Sequence, residues 1–234
     1  MKKICYIILI LCFSLVSCAP TENVIDDGTQ ANTTDLNDYE NVLNSLDEEQ
    51  IVKKCKSNKV SIVKKYVYEL PENKRQSKFR PIIVGFGPAG MLAGIILAEA
   101  GLRPIILERG KDIDARTKDV NEFWTKRKLN EESNVQFGEG GAGTFSDGKL
   151  TTGIKSPYIR KVLEELYKAG APEEILYSSK PHIGTDRLAV VVKNIRKKIE
   201  SLGGEVRLEW KAEKLIVANG FVQGITCLHN GEIT

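Results

Sequence analysis

The stretch IIVGFGPAGMLAG, residues 82–94, limits what this 234-residue chain can fold into more than any other feature. The apolar run Ile82-Ile83-Val84 suits a buried parallel strand. Gly85, Gly87 and Gly90 follow it in G-x-G-x-x-G spacing. The first glycine of that pattern permits a sharp turn, the second keeps a side chain out of the space a pyrophosphate needs, and the third lets a helix press against the strand. Pro88 suits the first helical position, where its missing N–H would have had no partner. The N–H groups of Ala89 and its neighbours, at the positive end of the helix dipole, then face phosphates. Residues 89–100 are apolar nearly all round, which predicts a buried helix, and Gly101 stops it. A second strand over residues 104–107 ends at Glu108, about 20 residues beyond the first glycine, where a carboxylate can accept hydrogen bonds from adenosine ribose hydroxyls. Its negative charge disfavours a 2′-phosphate, so NADP suits this site poorly.

The rest of the chain continues the same plan. Ser156 and Pro157 can cap a helix that runs to Ala169 and stops at Gly170. Thr185 or Asp186 can cap another, with Leu188, Val191, Val192, Ile195, Ile199 and Leu202 on one face and Gly203-Gly204 at its end. Residues 205–210 then read as a third parallel strand. A β-meander follows, turned at Asn219-Gly220 and Asn230-Gly231. The expected fold class is α/β: a Rossmann-like domain over residues 80–234 with a three-strand start to a parallel sheet plus a meander, incomplete at the C-terminus.

Between these elements lies FGEGGAGTFSDGKLTT, residues 137–152. Its five glycines from Gly138 to Gly148 give a backbone that can approach a ligand closely. The competing reading is a hairpin turned at Asp147-Gly148 in a type I′ turn.

The other end of the chain points elsewhere. Lys2 and Lys3 precede an apolar run, residues 4–15, that is shorter than the roughly 20 residues a membrane span needs. The run ends in Leu15-Val16-Ser17-Cys18, which resembles the bacterial lipobox. That resemblance implies a signal peptide over residues 1–17, with Cys18 as the acylated first residue of a membrane-anchored, extracytoplasmic lipoprotein. Residues 18–60 are largely polar and read as a disordered tether, acidic at first. Residues 61–79 read as one short strand and a basic linker. The alternative is a leader from a mis-joined frame and a cytoplasmic protein.

Charge and cysteine usage exclude several classes. A net charge of +3 is too small to argue for nucleic acid. Three of the five cysteines fall within the first 18 residues and no Cys/His cluster exists, so no metal site is expected.

GFGPAGMLAG followed by ILERG resembles the FAD-binding half of the glutathione-reductase-like flavoproteins. Residues 137–152, with PHIGTDRL at 181–188, look like the bacterial family of FAD-dependent dehydrogenases. The resemblance spans about residue 78 to the end. It implies FAD held by Gly85, Gly87, Pro88, Ala89, Gly90, Glu108 and Arg109, and a loop that covers the flavin side with Gly140, Gly141 and Thr144. It also implies that the chain is the N-terminal part of an oxidoreductase acting by flavin-mediated hydride transfer on a small-molecule redox substrate, with NAD(P)H as electron donor. The fragment alone is expected to be inactive. Asp147, Lys149 and His182 are the polar candidates for acid–base work, though loop residues of this kind are commonly structural. Three other readings stay open: an NAD-binding module of another class, a non-catalytic membrane-tethered nucleotide-binding lipoprotein, and a tRNA-modifying flavoprotein.

Overall fold

The computed structural model describes residues 7–8, 48–55, 61–62, 66–70 and 79–234. Lys2, Lys3 and Cys18 lie outside the described residues, as does most of the expected tether. The chain divides into two compact units, residues 15–67 and residues 1–14 with 68–234.

In the first unit, α1 (Glu48–Cys55) is a helix inside the stretch expected to be a tether. Ser61, Ile62, Tyr66 and Val67 carry no regular structure, nor do residues 68–70 of the second unit. No strand forms among the described residues of 61–70. Val67 is largely exposed.

The second unit is built on a parallel sheet with spatial order β1, β2, β3, β4. These strands are Ile7–Ile8, Ile82–Val84, Ile105–Glu108 and Glu205–Leu208. β2 pairs with β3 from Ile82↔Ile105 to Val84↔Leu107, and β3 pairs with β4 from Ile105↔Glu205 to Glu108↔Leu208. All the expected strands of the α/β sheet are present. The expectation did not include β1: Ile7 and Ile8, from the apolar leader, pair with Ile82 and Ile83 at the outer edge of β2.

Two helices cover the sheet, α2 (Pro88–Glu99) and α5 (Thr185–Ser201); α4 (Tyr158–Lys168) is tied to them by the ion pairs Lys161–Glu99 and Lys198–Glu165, and α3 (Ile113–Lys126) follows β3. The α2 helix lies close enough to the sheet and to α5 that a Cβ on Gly94 would sit 2.6 Å from Ile106 Cδ1 and 2.9 Å from Ile199 Cδ1. Ile83, Phe86, Ile95, Ile106, Val191, Ile195 and Ile199 fill this core with no exposed surface. The expected apolar face of α5 is the buried one, except that Leu202 is exposed beyond the helix end. Its N-cap is Gly184, not Thr185 or Asp186. Gly184 N–H is already given to the Asp147 carbonyl (3.1 Å), and its φ of 87° carries the chain into the helix by a route that disfavours a side chain.

The meander is an antiparallel sheet of β5 (Lys211–Ala218), β6 (Phe221–His229) and β7 (Glu232–Ile233). Asn219 and Gly220 have φ of 53° and 74°, and Asn230 and Gly231 have 51° and 81°. Both turns therefore have the positive φ pair of type I′, as their sequences predict.

Candidate functional site

The site forms where β2 hands over to α2. Gly85 has φ of 95° and donates its N–H to the Leu107 carbonyl at 2.7 Å, so the turn stays tied to β3. Gly87 is the extended N-cap of α2, Pro88 opens the helix, and no side chain caps it. The N–H groups of Ala89 and Gly90 have no carbonyl one turn earlier to reach and remain available to an acceptor. A Cβ on Gly90 would overlap the Gly85 carbonyl oxygen. The third glycine of the motif is thus required by close helix–strand packing, as the spacing predicts.

Glu108, at the end of β3, is buried and turned inward. One of its oxygens accepts from Phe86 N–H at 2.8 Å. The other accepts from Gly110 N–H at 3.0 Å and Gly138 N–H at 2.9 Å. A carboxylate offers about four lone-pair positions, so three are used and one remains. The sequence reading gave Glu108 to ribose alone. Its first task in this structure is to join the fingerprint turn, the end of β3 and the glycine-rich loop.

That loop lies directly on the fingerprint. Besides the Gly138 bond to Glu108, Gly140 N–H donates to the Phe86 carbonyl at 2.9 Å. A Cβ on Gly141 would come within 3.0 Å of Gly87 Cα, and one on Gly110 within 2.5 Å of Gly138. These close backbone approaches explain glycines at both places. Residues Ala142–Phe145 then form a single 3-10 turn. Thr144 is buried, with its hydroxyl donated to the Glu139 carbonyl at 3.1 Å, so its side chain serves the loop itself. Arg109 is also engaged: it pairs with Glu132 and lies 4.0 Å over the Phe137 ring. Gly85, Gly87, Pro88, Ala89, Gly90, Glu108, Gly140 and Gly141 are brought together, while the Arg109 and Thr144 side chains are spent on internal contacts.

No motif marked the buried ionic frame beneath the loop. Arg116 on α3 has no exposed surface and donates to the carbonyls of Asn134 (2.8 Å), Val135 (2.9 Å) and Glu139 (2.7 Å). Burial pulls its pKa down to about 10, against the opposing pull of Glu108 and Glu139, so the guanidinium stays charged at neutral pH. Glu139 is equally buried and accepts from Ile113 N–H at the start of α3 and from Arg196 of α5, at 2.8 and 2.7 Å. The usable signal for Arg116 was its place between Ile113 and Val120, on the stripe of α3 that turns inward. An arginine there must find buried acceptors.

The three acid–base candidates come close together. Residues 147–150 pair with 181–184: Lys149 and His182 form an antiparallel bridge, Leu150 N–H meets the Pro181 carbonyl at 2.9 Å, and Ile183 N–H meets the Gly148 carbonyl at 3.1 Å. The hairpin alternative fails, because residues 147–150 pair with a distant segment. Gly148 has a positive φ but Asp147 does not, and a type I′ turn needs both. Lys149 lies 3.2 Å from Asp147 and holds that exposed carboxyl below its ordinary pKa.

No protein-family model matches the chain. A protein of Clostridium beijerinckii (strain ATCC 51743 / NCIMB 8052), described as an uncharacterized protein, is 58% identical over 148 residues. The match covers 63% of this chain but 28% of that protein, so the chain spans well under half of its relative. Among solved structures, 3-ketosteroid-Δ4-(5α)-dehydrogenase from Rhodococcus jostii RHA1, in complex with 4-androstene-3,17-dione, aligns with a TM-score of 0.40 and 16% identity, over 65% of this chain and 42% of that one. Thermovibrio ammonificans THI4 aligns with a TM-score of 0.36 and 21% identity, over 62% of this chain and 46% of that one. At such scores neither likeness bears on function.

Proposed function

We propose that residues 80–234 bind FAD and form the N-terminal part of an FAD-dependent oxidoreductase. The observation that carries this reading is the docking of the glycine-rich loop on the fingerprint, with Gly138 on Glu108, Gly140 on Phe86 and Gly141 against Gly87. An ordinary glycine turn after a strand has no need of a second glycine loop laid over it. The resemblance of GFGPAG, ILERG and residues 137–152 to the flavoprotein pattern supports the same cofactor.

The residues present fit the group. The open N–H groups at the start of α2 suit a pyrophosphate. The fourth acceptor position on Glu108 suits one ribose hydroxyl. Gly87, Gly140 and Gly141 bring backbone rather than side chains to the mouth of the site. Bound FAD supplies the redox chemistry, most simply hydride transfer. The chain's own residues bind it, orient it and keep water from it. NAD(P)H as electron donor, and a small molecule as the oxidised or reduced partner, complete the reading.

The test is direct: purified protein is examined for a flavin absorption spectrum, and the released cofactor is identified after denaturation. Bound FAD that disappears in Gly87→Leu supports the reading. Tight binding of NAD with no flavin would support a nicotinamide module instead.

The lipid anchor at Cys18 is a separate proposal, resting on Lys2, Lys3, the apolar run and Leu15-Val16-Ser17-Cys18. Cleavage before Cys18 would also remove β1 and leave the outer edge of β2 without its partner, so the leader cannot serve both ends in one mature molecule.

A further inference from the structure

A second site lies beside the cofactor loop. A cleft of about 360 Å³ opens between the 3-10 turn Glu173–Leu176 and the start of α5. Ile175 and Ile183, both buried in the core, form its apolar floor. Lys180, His182 and Arg187 line it, with Glu174 as the carboxylate among them.

Several basic residues gather in one concavity here. Lys111, Arg160, Lys161, Arg196 and Lys198 each lie within 3.0 Å of a carboxylate. Lys180, His182 and Arg187 make no side-chain hydrogen bond or ion pair among the described residues. Two fixed cations and an imidazole therefore share one concavity with one acid. Gathering like charges in one concavity is unfavourable, and the apolar floor of Ile175 and Ile183 strengthens the resulting field, while Lys180, His182 and Arg187 reach solvent. Lys149, the bridge partner of His182, adds to that field, since residues directly opposite in an antiparallel pair present side chains on the same face. Its own charge is partly answered by Asp147.

The cleft is also wired to the cofactor loop. Its wall, residues 181–184, is hydrogen-bonded to residues 147–150. The same loop, a few residues earlier, lies on the fingerprint. We propose that this cleft binds a small organic anion, a carboxylate or phosphate ester, through Lys180, Arg187 and His182, and that it is the docking point for the charged end of the redox substrate. Binding of the anion stands on the cleft alone; its identification as substrate rests on the flavin reading above.

The chain has two histidines, His182 and His229, so imidazole NMR gives one reporter in the cleft and one outside it. His229 is stacked on Trp210 in the meander, 4.6 Å between ring centres, and acts as the internal control. The full chain is titrated with inorganic phosphate and, separately, with succinate, at constant ionic strength held with chloride. The expected result is a saturable shift of His182 with His229 unmoved, and about tenfold weaker binding in Lys180→Ala and in Arg187→Ala, the loss of one charge-assisted hydrogen bond each. The anion that saturates at the lower concentration identifies the headgroup. Equal movement of both histidines, no saturation, or unchanged affinity in both variants would overturn the proposal. FAD content measured on the same samples should not change in the variants. Anion binding without any FAD would leave this site standing and remove the flavin reading.

Discussion

Replacing Glu165 by Gln tests the ionic clamp that holds the helices around the fingerprint helix. Glu165 on α4 is buried, with 2% of its surface exposed, and is reached by Lys161 (2.9 Å), Lys168 (3.0 Å) and Lys198 of α5 (2.6 Å). Glu99, at the end of α2, shares Lys161 and Lys198 at 3.0 and 2.5 Å. Burial acts to raise the Glu165 pKa, but the lysine hydrogen bonds outweigh it and hold the carboxyl at about 2, against an ordinary 4.5. At 1.36 kcal/mol per pH unit that difference is worth about 3 kcal/mol, a large part of a typical domain's 5–15 kcal/mol. Surface ion pairs contribute far less; burial makes this one matter. The folded pKa is depressed, so the stabilisation is present above 4.5 and is lost as pH falls towards 2. Lys161 and Lys198 are raised above 10.5, so their share is present below that value and is lost as pH rises through the folded one. Urea unfolding of wild type and Glu165→Gln at neutral pH should differ by about 3 kcal/mol, and the gap should close as pH falls through the acid range. A gap under about 1 kcal/mol at neutral pH, or one that persists unchanged near pH 2, would refute the reasoning.

Three further outcomes are expected. Gly90→Ala should destabilise the domain by at least about 2 kcal/mol and abolish FAD binding, because its Cβ overlaps the Gly85 carbonyl, whereas Gly143→Ala, with open space around it, should be near neutral in the same unfolding and flavin assays. Arg116→Met should leave the carbonyls of Asn134, Val135 and Glu139 without their donor, loosen residues 134–139 and expose them to limited proteolysis, with FAD retention falling in parallel; an unchanged digestion pattern would contradict the role given to Arg116. Cys18→Ala should release the protein from the membrane fraction if the cysteine is acylated, and unchanged partitioning would count against the anchor.

The parts of the fold legible in the sequence were those written in local terms. Glycines and short β-branched runs fixed β2, α2, β3, α5 and β4 to within a residue or two, and the Asn-Gly pairs fixed both turns of the meander, because each depends on its own backbone preferences. The α5 cap misled because Gly184 is placed by its bond to Asp147, far away in sequence. Within the site, the fingerprint and Glu108 were readable. The inward roles of Glu108, Thr144 and Arg109, and the Arg116–Glu139 frame, were not, since each is defined by a partner on another element. The meeting of Lys149 with His182 was likewise invisible until the two motifs were folded onto each other.

The most direct test of the central claim is the cofactor content of the purified full chain. The account predicts FAD bound one to one, released on denaturation, and lost in Gly87→Leu while the circular dichroism of the fold is kept. A folded protein that neither carries FAD nor takes it up when it is supplied would contradict it.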